Sequence, residues 1–405
     1  MNPDAPRRVL FVDHVRHILA GAEINLLELS AEAAARGAWE VHAACDAEGP
    51  LFEALASRGT PCHRHGFGTR LGTLRIVGRR FPVSQALRSL KALLEARRSF
   101  AELLHRVRPS IVVSCTNKDH FAAWPACRSS RIPSIWWVND ILSPDFFPWA
   151  ARRAFRQQAR RGASRLVAVS EFARQALIRQ DLAPDHVVAI HNGIPLDRYQ
   201  RQPLGTLRRM VSAKDDEPLV GVVGRFTPWK GQDFFLRLAE SWCRSSPSGQ
   251  FVVVGHAFNE DQGFEWSLRD FVRSHGLRER IHLIPFQRDI ARALSDLDLL
   301  VHTSTKPEPF GRVLIEAMAV GVPVLAARAG GVPEIIAHGR DGLLAEPGDL
   351  QDYRACLERV LGDSEFRRRL SLAGRETVQA RFSVTRVHEA FEAVFESVRP
   401  AACAS

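Results

Sequence analysis

The segment LVGVVGRFTPWKG, residues 219–231, decides the fold class of this chain. Its apolar run ends at Gly224, a pattern typical of a buried strand that meets a turn. Arg225 and Lys230 lie in the loop that follows, and the apolar spacing after Gly231 predicts a helix. A buried strand that leads through a short loop into a helix is the repeating unit of a parallel sheet covered by helices.

The same alternation runs through the whole chain. The predicted strands are Val9–Val12, Val41–Cys45, Ile111–Ser114, Ile135–Val138, Leu166–Val169, Val187–Ile190, Leu219–Val223, Phe251–Val254, Ile281–Ile284, Leu299–Val301 and Val322–Ala326. The predicted helices include Ala22–Arg36, Leu51–Arg58, a basic helix from about Gln85 to Arg106, Gly231–Trp242, Arg312–Ala319, a helix near Val332–His338, and helical segments between Leu350 and Val398. Continuous apolar strands separated by helices predict parallel sheets that are buried on both faces.

A chain of 405 residues is too long for one ordinary core. The turn sequence His191–Pro195 and the polar stretch after it interrupt the pattern, which then restarts. We therefore expect a first Rossmann-like domain over 1–200, a linker over 201–217 and a second Rossmann-like domain over 218–383. Residues 384–405 form a C-terminal helix and tail with room to cross back to the first domain.

The charge and the cysteine content of the chain limit the classes of partner that it is expected to bind. The chain has 55 Lys and Arg against 45 Asp and Glu, a net charge of +10, which favours an anionic partner such as nucleotide phosphates, a lipid surface or nucleic acid. None of the seven Cys falls in a CxxC pair, which argues against a zinc site. No secretory pattern opens the sequence and no apolar stretch is long enough to span a bilayer.

Three strand-to-helix junctions carry candidate chemistry, because sites in open parallel sheets form at the carboxyl ends of the strands. Arg225 and Lys230, beside free amides at a helix start, would suit a diphosphate, although a basic loop can also be a solvated one. Glu308 can accept hydrogen bonds from sugar hydroxyls. Glu316 lies on a helix that is apolar nearly all round, so its carboxylate needs a partner, and ribose hydroxyls are one candidate.

The third junction is the glycine turn at Gly330-Gly331, which opens another helix. It could cradle a phosphate or a ribose. By itself, it is better explained as a tight turn that needs glycine for its backbone angles.

Taken together, these motifs make residues 221–349 resemble the family 4 glycosyltransferases, retaining enzymes of the GT-B architecture. The shared motifs are the loop from Gly224-Arg225 to Lys230-Gly231, the two glutamates, the apolar helix that continues into Gly321-Val-Pro323-Val324, and the Gly-Gly-x-x-Glu turn. The glycine turn at Leu19–Glu23 extends the resemblance over nearly the whole chain. It implies an α/β fold of two Rossmann-like domains that face each other across a cleft.

The resemblance also implies roles for individual residues. The implied catalytic residues are Arg225, Lys230 and Glu308; the donor-binding residues are Gly224, Phe310, Gly311, Glu316, Gly330 and Gly331; and the residues near the phosphate or acceptor are Gly21, Asn139 and Asp140. Asn139 stands where many members carry a His, and an amide cannot act as an acid or a base near neutral pH. His120 or Asp140 could compensate.

The implied function is transfer of a hexose-type sugar from a nucleotide-diphosphate donor, such as a UDP- or GDP-sugar, to a glycan or lipid-linked acceptor in polysaccharide or glycoconjugate synthesis. The family's usual mechanism is attack from the face that the phosphate leaves, with the phosphate helping to take the acceptor's proton. We expect no metal and no other cofactor, because the donor loops offer cations and amides rather than an Asp-x-Asp cluster.

Other functions stay open. Neither the dinucleotide-binding G-x-G-x-x-G after a strand nor the P-loop pattern occurs in the sequence. A sugar-nucleotide epimerase of the same architecture is the nearest enzyme alternative. A non-catalytic nucleotide-sugar-binding protein is the alternative from another class.

The distribution of basic residues suggests where the protein works. Residues 70–108 and the cluster at residues 152–161 are rich in Arg, either as a solvated face or as a surface for anionic lipid. We expect a cytoplasmic protein with peripheral contact at the inner face of the membrane. No recognised nucleic-acid motif occurs, so nucleic acid is not an expected partner.

Overall fold

A computed structural model of the chain describes residues 7–15, 21–46, 48–65, 95, 97–203 and 205–399. They form two units. The first contains the residues up to Asn192 together with those from Val384 onward, and the second is Gly193–Ser383. Each unit contains a parallel sheet with helices between its strands, so the predicted class of two Rossmann-like α/β units is confirmed.

The first unit contains a seven-stranded parallel sheet in its described part. Its strands are β1 Arg8–Asp13, β2 Glu40–Cys45, β3 Cys62–Arg64, β4 Ile111–Ser114, β5 Ser134–Val138, β6 Arg165–Ala168 and β7 Val187–Ala189, in the order β3-β2-β1-β4-β5-β6-β7. Its helices are Gly21–Arg36, Pro50–Ser57, 97–107, Asn117–Ser129, Trp149–Gly162, Glu171–Ile178 and Val384–Val398. All residues of β4 and β5 are buried, as their continuous apolar sequences predict.

The helix Val384–Val398 packs within the first unit. Thr385 Oγ1 donates a hydrogen bond to Glu32 Oε1 at 2.8 Å. The ring of Phe395 lies 5.1 Å from that of Trp39, and the ring of Phe391 lies 5.0 Å from that of Trp137. The helix Val384–Val398 thus contributes to the core of the first unit.

The second unit contains a six-stranded parallel sheet. Its strands are β8 Leu219–Val223, β9 Gln250–Val254, β10 Ile281–Ile284, β11 Leu299–His302, β12 Val324–Ala327 and β13 Leu343–Ala345, in the order β10-β9-β8-β11-β12-β13. Its α-helices are Leu207–Met210, Gln232–Ser245, Gln262–Ser274, Ile290–Ser295, Arg312–Ala319, Val332–Ile335, Leu350–Gly362 and Ser364–Arg381.

The described residues of 201–217, for which the sequence predicts a linker, are part of the second unit. The buried Asp296 carboxylate accepts hydrogen bonds from the backbone N–H groups of Gly205, Leu207 and Arg208. These bonds satisfy donors at the start of a short helix and fix the segment to the unit.

Smaller differences have local causes. The sequence pattern does not predict the strands Cys62–Arg64 and Leu343–Ala345. Each is a three-residue strand at the edge of its sheet, too short to show a recognisable apolar pattern. The helix at Val332 ends at Ile335 rather than His338. The basic helix expected from Gln85 to Arg106 lies partly outside the described residues.

Among the described residues, no helix has the length and apolar character needed to span a bilayer.

Candidate functional site

The candidate site of the second unit lies at the carboxyl ends of its central strands. Along the chain, β8 is followed by β9 and β10 on one side, and β11 then pairs with β8 on the other side. The loops after β8 and β11 therefore leave neighbouring strands in opposite directions. Such a switch in strand order opens the crevice in which parallel α/β sheets bind ligands.

Glycines bring the backbones of these loops into close contact. A Cβ atom on Gly255, after β9, would lie 2.0 Å from the carbonyl oxygen of Gly224. A Cβ atom on Gly231 would lie 2.1 Å from the carbonyl oxygen of Thr303, after β11. Both glycines have positive φ, at 153° and 69°. Larger residues would therefore collide with a neighbouring loop and strain the backbone.

Lys230 and Glu308 form an ion pair that joins the loops after β8 and β11. Lys230 Nζ donates to Glu308 Oε1 at 2.7 Å and to Oε2 at 2.8 Å. Ser304 Oγ donates to Oε2 at 2.9 Å, and His302 Nε2 lies 3.3 Å from the same oxygen. The sequence predicts separate ligand contacts for the lysine and the glutamate, whereas in this structure they contact each other.

The surroundings of Glu308 favour its charged form. Burial alone would raise the pKa of the Glu308 carboxyl, but Lys230 and His302 together hold that pKa well below its usual range. The residue as a whole is only 8% exposed. The site therefore contains a fixed, ionised carboxylate with hydrogen-bond acceptor capacity.

The Gly330-Gly331 turn holds the backbone of Glu308. Gly331 N–H donates to the Glu308 carbonyl oxygen at 2.8 Å. A Cβ atom on Gly330 would lie 2.1 Å from that same oxygen, and Gly330 has a φ of 66°. The turn thus needs glycine to let the loop after β12 touch the loop after β11.

Glu316, on the helix Arg312–Ala319, has partners within the protein. Its Oε1 accepts a hydrogen bond from Arg312 Nε at 2.7 Å and from the Tyr199 hydroxyl at 3.0 Å. Arg312 also donates to the carbonyl oxygen of Gly193 at 3.3 Å. All three side chains of this cluster are buried. The expectation that this carboxylate needs a partner is confirmed, and the partners are a neighbouring arginine and a distant tyrosine.

The remaining second-unit residues frame this site. The guanidinium of Arg225 lies over the ring of Phe258, 5.1 Å from its centroid. Gly311, with a φ of 107°, precedes the helix that carries Glu316. Phe310 is buried, and its ring lies 5.8 Å from that of Phe382.

The predicted residues Gly21, Asn139 and Asp140 lie in the first unit. Gly21 is the first described residue of the helix Gly21–Arg36. Asn139 Nδ2 donates to the carbonyl oxygens of Cys115 and Trp137, at 3.2 Å and 3.4 Å. Asp140 Oδ2 accepts a hydrogen bond from Asn117 at 2.8 Å. The side-chain amide of Asn139 thus contacts backbone carbonyls.

His120, considered as a substitute for the missing histidine, is buried. Its ring stacks on Trp136 with a centroid distance of 4.8 Å, and Nδ1 lies 2.6 Å from Ser114 Oγ. Burial lowers the pKa of His120 to about 3. This ring is a core residue and not an accessible acid or base.

Several polar residues of the two units lack sequence predictions. In the second unit these are His302, Ser304, Arg312 and Tyr199. Only Arg312 could have been predicted, because it precedes Glu316 by one helical turn, a spacing that favours an ion pair. In the first unit, Asp13, His14 and Asp119 form the one group of potential metal ligands among the described residues, with ligand atoms within 4.8 Å of one another.

Comparisons with known proteins identify the family to which each half of the chain is similar. Residues 206–377 match the family model for glycosyl transferases group 1, and residues 19–198 match the model for glycosyltransferase family 4. Together, the two models span most of the chain.

Two curated relatives are similar to a little over half of this chain. A D-inositol 3-phosphate glycosyltransferase from Saccharomonospora viridis is 30% identical over 59% of this chain and 57% of its own length. A putative glycosyltransferase, YtcC, from Bacillus subtilis is 26% identical over 58% of this chain and 60% of its own. The chain thus matches less than two thirds of the length of these curated relatives.

A solved structure covers more of the chain. The Anabaena protein Alr3699/HepE, in complex with UDP and glucose, has a TM-score of 0.81 and 26% identity, covering 96% of this chain and 99% of that one. A glycosyltransferase from Rickettsia africae also has a TM-score of 0.81, with 17% identity over 98% and 100% of the two chains.

Proposed function

Because this chain belongs to the family 4 glycosyltransferases, we propose that it transfers a hexose-type sugar from a nucleotide-diphosphate donor to a glycan or lipid-linked acceptor. The Lys230–Glu308 pair is the observation that carries the proposal, because it sets a phosphate-binding cation beside a carboxylate that accepts hydroxyls. The Anabaena relative, whose structures contain UDP-glucose or UDP and glucose, supports a donor of that kind.

In the proposed reaction, the bond between the anomeric carbon and the diphosphate oxygen breaks, and its electron pair goes to the diphosphate. Arg225 and Lys230 stabilise that developing charge. A bound diphosphate gives Lys230 a second anionic partner, so that the oxygens of Glu308 can accept sugar hydroxyls. Glu316 accepts hydroxyls of the ribose.

We propose that the reaction retains the anomeric configuration. The acceptor oxygen attacks from the face that the phosphate leaves, and the departing phosphate oxygen takes the acceptor's proton. This route requires no protein nucleophile. The product would enter cell-surface polysaccharide or glycoconjugate synthesis.

Two alternatives make different predictions. A sugar-nucleotide epimerase would convert the donor without any acceptor. A non-catalytic binding protein would bind the donor and neither hydrolyse nor transfer it. Incubation of UDP-glucose alone, followed by separation of the sugars, distinguishes these two from a transferase, which produces glucose and UDP slowly by hydrolysis.

Lys230→Ala should lower the transfer rate roughly 100- to 1,000-fold, because one preorganised donor to a leaving group contributes about 3–4 kcal/mol. Glu316→Gln, which keeps the shape of a side chain paired with Arg312, should weaken UDP binding. The measurements are initial transfer rates with radiolabelled UDP-glucose and calorimetric titration with UDP.

Arg237→Ala is the matched control, because Arg237 is an exposed cation on the helix that follows the Lys230 loop. The control should behave as the unmodified protein does. Wild-type transfer and UDP affinity in both site variants would contradict the site assignment.

The reaction should need no divalent metal, because Arg225 and Lys230 supply the positive charge for the diphosphate. Transfer rates after exhaustive treatment with EDTA should equal those in added Mg²⁺ or Mn²⁺. Activity that disappears in the chelator and returns with either ion would refute this proposal.

The first unit also has a surface suited to anionic lipid. On the helix Trp149–Gly162, the exposed residues include Trp149, which is 67% exposed, together with Arg153, Arg160 and Arg161. The Arg153 guanidinium lies 5.6 Å from the Trp149 ring centroid. A basic helix face with an exposed aromatic residue favours peripheral contact with a membrane that presents a lipid-linked acceptor. Most of the other basic stretch, residues 70–108, lies outside the described residues.

The protein should co-sediment with vesicles that contain phosphatidylglycerol, and less so as salt increases, because each basic residue near the surface contributes about 1 kcal/mol. Replacing Arg153 and Arg161, or Arg75, Arg79 and Arg80, with Gln should reduce this binding. Exposed arginines of the second unit, Arg368 and Arg369, provide the control substitutions. Equal recovery with vesicles of phosphatidylcholine alone, or none with either, would exclude the membrane contact.

A further inference from the structure

A second polar cluster lies at the switch point of the first sheet. The chain passes from β1 to β2 and β3 on one side, and β4 then pairs with β1 on the other. His14 directly follows β1, and Thr116 and Asp119 follow β4 at the start of the helix Asn117–Ser129. This is the position in which a parallel sheet binds ligands.

The hydrogen bonds of the cluster determine which ring nitrogen of His14 carries the proton. The hydroxyl proton of Thr116 goes to Asp119 Oδ2, at 2.7 Å. Thr116 Oγ1, 2.9 Å from His14 Nδ1, must therefore accept a hydrogen bond from that nitrogen. Asp119 reinforces this arrangement, because its carboxylate oxygens lie 3.3 Å and 3.4 Å from His14 Nδ1.

With the proton on Nδ1, Nε2 of the neutral ring is a hydrogen-bond acceptor. No hydrogen bond between described residues uses this nitrogen. The His14 side chain is 17% exposed, whereas Asp119 behind it is fully buried. The cluster thus presents one acceptor nitrogen, fixed from behind by a buried carboxylate.

The buried carboxylate at the end of β1 supports this arrangement. Asp13 is fully buried, and burial, with Asp119 and Glu23 nearby, raises its pKa well above the usual range. Its Oδ1 accepts a hydrogen bond from Val15 N–H at 2.9 Å, which fixes the backbone on either side of His14.

We propose that His14 Nε2 accepts a hydrogen bond from a hydroxyl group of a polyhydroxylated acceptor, and that Thr116 and Asp119 are positioning residues. The inference rests on the proposed transferase function and names a residue for its acceptor. It adds no proton-transfer step to the reaction. His120 cannot fill the same role, because it is buried.

The first test reads the His14 tautomer and does not depend on activity. Nitrogen-15 NMR of the labelled full chain, with the signals of His14 assigned by comparison with His14→Phe, should show the proton on Nδ1. Asp119→Asn should reduce that tautomer, and Thr116→Ser should retain it while Thr116→Val does not. A wild-type His14 with its proton on Nε2 would overturn the proposal.

The second test separates acceptor from donor. With UDP-glucose as donor and myo-inositol 3-phosphate or methyl glucoside as acceptor probe, His14→Phe should lower kcat/KM for the acceptor roughly tenfold, the loss of about one hydrogen bond. Hydrolysis of UDP-glucose without acceptor should stay unchanged. Unchanged transfer in His14→Phe would overturn the inference, whereas absence of UDP-glucose binding and hydrolysis in the unmodified protein would instead overturn the proposed function.

The His14 NMR signals also test whether a probe binds when no transfer occurs. They test in addition whether the cluster binds a cation instead. The Nε2 resonance of His14 should shift when either probe is added, even where no transfer occurs. A resonance that shifts with Zn²⁺ or Mn²⁺ and with neither probe would replace the hydroxyl site with a cation site at Asp13, His14 and Asp119. A resonance that shifts with none of these additions would overturn the proposal.

Discussion

The ion pair between Lys230 and Glu308 is the interaction on which the arrangement of the second unit's site depends. It joins loops that leave two neighbouring strands in opposite directions, and it keeps a buried carboxylate ionised. A buried charge without its partner costs several kcal/mol, so neither residue can be lost without disturbing the other. Under the proposed function, the same pair would provide a cation for the donor's phosphate and an acceptor for its sugar hydroxyls.

Backbone packing gives the pair its fixed geometry. Glycines at three loop crossings allow carbonyl oxygens to approach positions that a Cβ atom would otherwise occupy, as at Gly231 and Gly330. The interior of a protein is close-packed, so loops locked in this way cannot shift independently. A ligand therefore meets a site that is already organised, and preorganisation of this kind is the main source of electrostatic stabilisation in catalysis.

Much of the fold could be predicted from the sequence, because buried parallel strands are continuous apolar runs and the loops after them carry the polar residues. The candidate donor residues followed from the same reasoning together with the family resemblance. What could not be predicted depends on contacts between distant residues. Asp296 binds the backbone of Gly205, Leu207 and Arg208, Tyr199 contacts Glu316, and the His14–Asp119 contact joins the segment after β1 to the helix after β4.

The central claim is that Lys230 and Glu308 act as one unit in binding the donor. A double-mutant cycle on UDP-glucose affinity, with Lys230→Met, Glu308→Gln and the double variant measured by calorimetry, tests it most directly. The account predicts that each single change weakens binding and that the effects are non-additive by about 0.5–3 kcal/mol, as for residues in contact. Single effects that add to within about 0.5 kcal/mol would contradict it.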